Sequence, residues 1–238
     1  KYQQKNKGLA QGRQTGINHA SGEYLAFLDT DDYFVKDALE KMYKNAVLQN
    51  ADIVECITSK DGQVIDSNYS GLLNTKSILR DYFTSGVIPP MLWMRIYRRK
   101  LFKSTTLPNF HTNNEDVFAF PCLLYEANSI YFLKKQLHHY STDNENSVMN
   151  QLKDKSKGSI NLNYKLKTLH VPKHVQEYIG LENLEKSYNS EFIQFKSRVI
   201  LDFCLGNYNN VSPREIVNIA FEQTLFDKKE INTALKTL

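Results

Sequence analysis

The amino-acid sequence predicts an α/β fold followed by an α-helical carboxyl-terminal region. The main observation is residues 24–32, where an apolar run of strand-forming residues ends in three carboxylates, Asp29, Asp31 and Asp32. A short buried strand has this pattern, and open α/β sheets bind their ligands beyond the carboxyl ends of such strands. A stripe of apolar residues at helical spacing follows over residues 36–49. A strand that leads into a helix is the repeating unit of an α/β domain.

The other elements of the first part are predicted from periodicity and from turn residues. Leu9–His19 is predicted to form a short helix that Ser21 and Gly22 end. The remaining predictions, in chain order, are a strand over 52–58, a hairpin turn at Asp61-Gly62, a helix over 74–84 that begins near Thr75, a break at Pro89-Pro90, a strand through the Trp93 segment, and a strand over 129–133.

Beyond about residue 150 the patterns are helical only. Helices are predicted over 149–170, 172–180, 181–187 and 190–205, with a further start at Ser212 and a last helix capped by Asp227. We therefore predict two domains, residues 1–148 and residues 149–238. The second either packs as a helical cap or a dimer partner, or docks on a membrane through its basic and aromatic residues.

Composition limits the classes of protein to consider. The chain has 238 residues, 41% hydrophobic and 24% charged, with a net charge of +4, which does not indicate a dedicated nucleic-acid-binding protein. Its 3 cysteines have neither metal-ligand nor disulfide spacing, which favours a reducing compartment. No apolar run approaches the roughly 18 residues that span a membrane, and the sequence begins without a signal-peptide pattern. These observations predict a cytoplasmic location.

The three carboxylates at the end of the first strand are the strongest chemical signal. Alternate residues of an extended segment point the same way, so Asp29 and Asp31 could converge on one centre. Hard divalent cations such as Mg²⁺ and Mn²⁺ prefer oxygen ligands and often share them with substrate phosphates. The alternative is structural, because Thr30, Asp31 or Asp32 could cap the helix that begins near Lys36.

The segment before the strand contains glycines at 8, 12, 16 and 22, together with Arg13. Glycine lets a backbone or ligand approach closely, and the planar guanidinium of arginine suits a phosphate or a carboxylate. No Gly-Lys-Ser/Thr sequence follows, which excludes a P-loop.

Residues 6–32 together resemble the family 2 glycosyltransferases of the GT-A fold. The family pattern departs from this chain only mildly, at Gly12, where Ala is usual, and at Gln14, where Asn is usual. The matching positions are Asn6, Gly8, Leu9, Arg13, Gly16, Ile17, Ala20, Gly22, Glu23, Tyr24, Phe27, Leu28, Asp29, Asp31 and Asp32. The resemblance implies a Rossmann-like GT-A sheet of the nucleotide-diphospho-sugar transferases.

The resemblance also implies roles for single residues. Asp31 would coordinate a divalent metal, Mn²⁺ or Mg²⁺, that bridges the donor diphosphate. Asp29 would contact the nucleotide ribose, the metal, or both. Asp32 would support the site or cap a helix, and Arg13 would lie on the nucleotide side of the pocket as a donor-binding residue.

A second carboxylate motif stands at Glu115 and Asp116, just before an apolar run. By residue chemistry alone, acidic residues there would complement the dipole of a helix. Many family members carry this pair, and the resemblance implies that Asp116 is the catalytic base of an inverting transfer. Glu115 would orient the base or the acceptor.

Two further segments resemble family motifs. Trp93 begins one of them and is a candidate acceptor-binding residue, although a core aromatic on a buried strand has the same signature. His138 and His139 stand where tyrosines are common in the family. Either could ligate a metal or donate to the leaving phosphate, but neighbours on a strand face opposite ways, so at most one can enter the site.

The resemblance further leads us to expect that the amino-terminal part of the GT-A domain is absent, because in the family the aspartate motif lies much further along the domain than Asp29 does here. The expected activity is metal-assisted, inverting transfer of a sugar from a nucleotide-diphosphate donor, a UDP-sugar, to a hydroxyl of a polysaccharide or lipid-linked glycan. The expected location is the cytoplasm, with peripheral contact at the inner face of the membrane, and a homodimer is considered. The alternative is a non-catalytic member that acts as a glycan-binding or assembly subunit.

Overall fold

The computed structural model describes residues 3–103, 106–107, 115–142 and 168–207, with side chains described up to residue 200. The chain forms two compact units. The first comprises Lys1–Leu79 and Val87–Glu145, and the second comprises Arg80–Gly86 and Asn146–Leu238. The predicted domain boundary between residues 148 and 149 falls outside the described residues, so it stays a prediction.

The first unit alternates strands with helices along the chain. Its elements are α1 (Leu9–His19), β1 (Tyr24–Ala26), β2 (Tyr33–Phe34), α2 (Ala38–Leu48), β3 (Ile53–Lys60), β4 (Gln63–Ile65), β5 (Gly71–Asn74), the start of α3 (Thr75–Ser85), a 3₁₀ turn (Leu92–Met94), β6 (Arg95–Arg98), a second 3₁₀ turn (Arg99–Leu101), α4 (Glu115–Glu126) and β7 (Ser129–Tyr140).

One mixed sheet of seven strands organises this unit. The main path runs β1-β6-β3-β7-β2, while β4 pairs with β3 and β5 pairs with β7. The pair of β3 and β7 is parallel, and all the other described pairs are antiparallel. Since β6 runs opposite to both β1 and β3, the strands β1, β3 and β7 share one direction.

This topology determines where the aspartate motif lies. The segment from Phe27 to Asp32 connects β1 to β2, which stand at opposite ends of the main strand path. It therefore crosses the end of the sheet at which the parallel strands have their carboxyl ends. The pairing of Phe34 with His138 then holds β2 against the carboxyl end of β7. Open α/β sheets bind ligands at this end.

The core of the first unit lies between α2 and the sheet. α2 contributes three fully buried side chains at helical spacing, Ala38, Met42 and Ala46. They pack against buried strand residues that include Val54 and Ile96. The predicted apolar stripe over 36–49 thus forms a helix, although its other apolar residues, such as Val47, stay exposed.

Local signals located most of the other elements correctly. Asp61 and Gly62 form the turn between β3 and β4, and both have positive φ, 49° and 77°, as a type I′ hairpin turn requires. The predicted helix over 74–84 is α3, which begins at Thr75 as predicted. The side chain of Asn74 accepts a hydrogen bond from the backbone of Lys76 at 2.8 Å, while the Thr75 hydroxyl donates to the Ala127 carbonyl.

The described part of the second unit is helical, with α5 (Val171–Ile179) and α6 (Leu181–Asn207). The two helices predicted over 181–187 and 190–205 form α6, which is kinked at the non-helical residue Tyr188. Aromatic residues form the core of this unit: Tyr82, Phe83, Tyr188, Phe192 and Phe195. The predicted starts at Ser212 and Asp227 lie outside the described residues. No helix in the described ranges is both long enough and apolar enough to cross a membrane.

Candidate functional site

The aspartate motif forms a turn after β1 ends. β1 stops at Ala26, and the backbone N–H of Asp32 donates to the carbonyl of Asp29 at 3.1 Å, which closes residues 29–32 into a turn. The argument that Asp29 and Asp31 alternate along an extended strand therefore does not apply here. Asp29 and Asp31 are both partly exposed, whereas Asp32 is 8% exposed. The motif thus presents two of its carboxylates at the surface and buries the third.

Arg13 connects this turn to the second carboxylate motif. One terminal nitrogen of its guanidinium, Nη2, donates to Oδ1 of Asp29 at 2.8 Å. The other, Nη1, donates to Oε1 of Glu115 in a very short bond. The Arg13 side chain is only 9% exposed. The two motifs are far apart in the sequence, and this one side chain brings them together.

Glu115 and Asp116 form the first turn of α4, where negative charge complements the helix dipole. The backbone N–H of Val117 donates to Oδ1 of Asp116 at 2.8 Å, and Asp116 remains partly exposed. Burial raises the pKa of Glu115 to about 7, although the charge of Arg13 opposes the rise. Desolvation likewise raises the pKa of Asp116. A carboxylate with a raised pKa is a stronger base once it is ionised.

The third aspartate of the motif faces a histidine. Oδ1 of Asp32 accepts a hydrogen bond from the backbone N–H of Ser141 at 2.9 Å, while Oδ2 lies 3.6 Å from Nε2 of His138. Burial raises the pKa of Asp32 to about 6, and the charges of Asp29 and Asp31 add to the rise. Burial lowers the pKa of His138 to about 4. Around neutral pH the imidazole is therefore uncharged and Asp32 is a buried anion.

His138 is the member of the histidine pair that turns toward the aspartate motif. It is 1% exposed, with Nδ1 at 3.3 Å from the Thr58 hydroxyl oxygen. His139 turns the other way and stacks on Tyr33 at 4.6 Å between ring centroids. The prediction that at most one of the two histidines could enter the site agrees with this alternation along β7.

Trp93 lies beside the same histidine. Its ring stacks on His138 at 4.6 Å and on Tyr140 at 5.5 Å between centroids, and only 5% of the residue is exposed. It belongs to a 3₁₀ turn before β6, rather than to the strand predicted for this segment. The contacts of Trp93 match the core-aromatic alternative, and its role as an acceptor-binding residue stays a prediction.

Arg95, two residues after Trp93, was not among the residues predicted to act in the site. Its fully buried side chain donates from Nε to Oε2 of Glu55 at 2.7 Å, and to the carbonyls of Met91 and Pro89, each at 2.7 Å. The guanidinium also lies 3.9 Å from the ring centroid of Phe120 in α4. Arg95 thus fixes the segment that leads into Trp93. A basic residue in an otherwise apolar run was the available signal.

The carboxylate oxygens at the turn suit a hard cation as ligands. Asp29, Asp31 and Asp32 offer oxygen ligands. Burial is the main cause of the raised pKa of Asp32, and the charges of Asp29 and Asp31 add to it; a divalent cation bound there would reduce this repulsion. Within the residues described, no group of three or more His, Cys, Asp or Glu side chains is arranged to hold a metal by itself. A cation at this turn would therefore need further ligands, which substrate phosphates commonly supply for Mg²⁺.

A separate cavity of about 310 Å³ lies between β1 and α2, lined by residues that include Tyr24, Leu39 and Tyr43. None of the residues predicted to act in catalysis or binding lines it. The aspartate turn lies at the carboxyl end of the parallel strands, and Arg13 joins Glu115 to it, so we place the candidate site there.

The sequence of this chain matches known glycosyltransferases. The model of the family described as Glycosyl transferase family 2 matches residues 1–106. Glycosyltransferase GlyA of Streptococcus pneumoniae serotype 4 is 26% identical over 151 residues, which cover 58% of this chain and 22% of GlyA. The putative glycosyltransferase EpsH of Bacillus subtilis is 27% identical over 151 residues, which cover 58% of this chain and 42% of EpsH. The matches thus span less than half the length of either relative.

A solved structure shares the fold. S. aureus TarS 1-349, crystallised in complex with UDP-GlcNAc, aligns with a TM-score of 0.50 at 15% sequence identity, covering 97% of this chain and 72% of TarS. At this identity the likeness concerns the fold, a mixed sheet with flanking helices, which confirms the prediction of a GT-A fold. Over residues 1–106 this chain is therefore similar to the glycosyltransferases of family 2.

Proposed function

We propose that this chain carries the site of a glycosyltransferase that moves a sugar from a UDP-sugar donor to a hydroxyl of a polysaccharide or lipid-linked glycan. The main support is the bond pattern of Arg13, whose guanidinium contacts both Asp29 of the aspartate turn and Glu115 beside Asp116. Group transfer needs a donor-binding group and a base held close together. The glycosyltransferase relatives support the reaction class.

On the donor side, Asp31 and Asp29 would hold Mn²⁺ or Mg²⁺, and Asp29 would contact the ribose, the cation or both. The bond to Arg13 uses only Oδ1 of Asp29, which leaves Oδ2 for such a contact. When bound, the cation would neutralise negative charge on the departing nucleoside diphosphate. UDP is proposed as the nucleotide because the fold neighbour TarS was crystallised with UDP-GlcNAc.

On the acceptor side, Asp116 would act as the base. Its carboxylate takes the proton of the acceptor hydroxyl while the oxygen of that hydroxyl attacks the anomeric carbon. The bond from that carbon to the diphosphate oxygen breaks, and its electron pair leaves with the nucleoside diphosphate. Attack opposite the leaving group inverts the anomeric centre. Because the pKa of Asp116 is raised by burial, acid should protonate it and lower turnover at a higher pH than it would for an ordinary aspartate.

The remaining proposals concern the acceptor and its location. Trp93 is retained as an acceptor-binding residue only if its stack with His138 and Tyr140 opens on binding, since 5% exposure leaves little ring surface for a sugar. The carboxyl-terminal region, 149–238, is proposed to dock beside a membrane that carries a lipid-linked acceptor, or to form a homodimer. The proposed location is the cytoplasmic face of the membrane.

The proposal is tested by calorimetric titration of the chain with UDP, with and without Mn²⁺. We expect binding that depends on Mn²⁺ and that is lost in Asp31→Ala. Asp116→Asn should bind UDP as the unmodified chain does, but release UDP from UDP-GlcNAc about a hundredfold more slowly, the usual contribution of a positioned base. If the unmodified chain binds UDP but releases none from UDP-GlcNAc, the chain would instead be a non-catalytic subunit. Failure of the unmodified chain to bind UDP would overturn the proposal.

A further inference from the structure

Arg13 has two partners, and they belong to different motifs. Nη2 donates to Asp29 in the turn after β1, while Nη1 donates to Glu115 at the start of α4. The residue itself lies in α1. Arginine presents its donors in a rigid plane, so two carboxylates bound to its two ends are held at a fixed mutual distance. The side chain therefore joins three separate elements of the first unit.

These contacts leave little of the Arg13 side chain accessible to a nucleotide-sugar. Both terminal nitrogens are bound to carboxylates, and the side chain is 9% exposed. A phosphate or a nucleotide base could reach only the remaining N–H groups of this buried guanidinium, unless it displaced Asp29 or Glu115. Displacement of Glu115 would leave a buried carboxylate, 1% exposed, without its counter-charge, which is costly in a protein interior.

From this geometry we infer that Arg13 is a positioning residue. It holds the turn at Asp29 against the start of α4, and so fixes the distance between the donor carboxylates and Asp116. This inference replaces the sequence-based prediction that Arg13 binds the donor directly, and it rests on the proposed function of the same site. The bond to Glu115 also assigns a role to that residue, which anchors α4 to Arg13 beside the base.

Conservative variants separate the two possible roles of Arg13, donor binding and positioning. Lysine keeps the positive charge of Arg13 but has a single nitrogen, so Arg13→Lys can bind one carboxylate and cannot bridge two. Glu115→Gln removes the charge of the second partner and keeps its shape. The set consists of the unmodified chain, each single variant and the double variant. Arg99→Lys, the same change at an exposed arginine outside the site, is the control.

Two ligand measurements are made on this set: the affinity for UDP with Mn²⁺ and the rate of UDP release at saturating UDP-GlcNAc. For a positioning residue, Arg13→Lys should keep the UDP affinity within about threefold. It should slow the release of UDP by about tenfold or more, because small misplacements of catalytic groups are costly. The double variant should be scarcely slower than the slower single variant, because both changes break the same bridge.

Opposite results would overturn the inference. If Arg13→Lys weakens UDP binding about tenfold and leaves the saturating rate unchanged, Arg13 contacts the donor. If the rate losses of the single variants multiply in the double variant, Arg13 and Glu115 act independently. If the unmodified chain does not bind UDP, the proposed function fails. The bridge is then tested by urea unfolding of the same set of variants. If the shifts of the two single variants add up in the double variant, Arg13 and Glu115 are not coupled and the inference fails.

Discussion

Glu115 is 1% exposed and lies among carboxylates, with Arg13 as its counter-charge. Burial raises its pKa to about 7, the charge of Arg13 lowers it, and the charge of Asp116 raises it further. The same contacts act on Arg13 in the opposite sense. Burial alone would lower the pKa of Arg13, but Glu115 and Asp29 more than offset this, so the pKa of Arg13 is raised. The stability of this pair should therefore depend on pH.

The first prediction compares the unmodified chain with Glu115→Gln. The pKa of Glu115 is higher in the folded chain, about 7, than its ordinary value of 4.5. The folded state therefore binds a proton more tightly, so stability due to this group falls as the pH rises from about 4.5 through about 7. Between pH 5 and pH 8, the unmodified chain should lose about 1–3 kcal/mol of unfolding free energy relative to Glu115→Gln.

The measurement is urea unfolding of both proteins at each pH. Glu40→Gln, which removes an exposed carboxylate from α2, controls for the loss of one negative charge. If the unfolding free energy of the unmodified chain, relative to that of Glu115→Gln, stays constant or rises with pH, Glu115 does not carry a raised pKa.

The sequence identified the carboxylates but not most of their partners. Asp29, Asp31, Glu115 and Asp116 were selected by residue type and by motif. The bond between Arg13 and Glu115 joins residues that are 102 positions apart, and a single sequence contains no signal for such a contact. The same limit applies to His138, because its burial beside Asp32 depends on the pairing of β2 with β7.

At the scale of elements, local chemistry was sufficient where the structure is local. The helix predicted over Leu9–His19 has the observed bounds, and the helix over 36–49 differs by two residues at its start and one at its end. The turn at Asp61-Gly62 forms because these two residues accept positive φ. In each case, neighbouring residues supply the capping, periodicity or turn preference that decides the conformation.

The second prediction tests that turn with one chemical change at two sites. Gly62 has φ 77° in the hairpin, and Gly12 lies within α1, and neither has an atom within 4 Å of where a Cβ would stand. Gly62→Ala should lower the unfolding free energy by about 1 kcal/mol, because a side chain strains this backbone region. Gly12→Ala should raise it by about 0.5–1 kcal/mol, because alanine favours a helix.

Urea unfolding of the two variants provides the measurement, and each is the control for the other. Since no neighbouring atom is crowded in either case, only backbone conformation distinguishes the two sites. Equal shifts of the same sign would contradict the assigned backbone conformations.

Elements that depend on tertiary contacts were predicted less well. The apolar run after Glu23 was expected to stay extended into the aspartates, but β1 ends at Ala26 and the aspartates form a turn. The chain must turn there because β2 pairs with β7 at the far end of the strand path. β7 also continues to Tyr140, beyond the predicted end at residue 133, because β3 pairs with it along its length.

At the scale of the whole molecule, each compact unit has its own apolar core. The first unit packs α2 against the sheet, with Leu133 and Leu137 of β7 among the buried residues. The described part of the second unit packs aromatic rings, with Phe195 only 1% exposed and at 5.1 Å from Phe83 between ring centroids. A unit with its own core can in principle unfold separately, so a chain of this kind need not unfold in a single two-state step.

The last prediction uses the one tryptophan of the chain, Trp93, which lies in the first unit. Its fluorescence reports on that unit, whereas far-ultraviolet circular dichroism also reports on the helices of the second. Phe195→Ala should destabilise the second unit by about 3–5 kcal/mol, the usual cost of removing a buried phenylalanine. We expect the dichroism transition in urea to shift to a lower midpoint, while the fluorescence transition keeps its midpoint.

The matched variant is Leu137→Ala, which removes a side chain that is 2% exposed in the core of the first unit. Here the fluorescence midpoint should fall, because Leu137 and the stacking partner of Trp93, His138, are neighbours on β7. The dichroism transition of the second unit, which Phe195→Ala shifts, should keep its midpoint in Leu137→Ala. If both variants instead shift both signals by the same amount, the two units unfold as one cooperative body, and substitutions in the helical region would then also lower the stability of the carboxylate site.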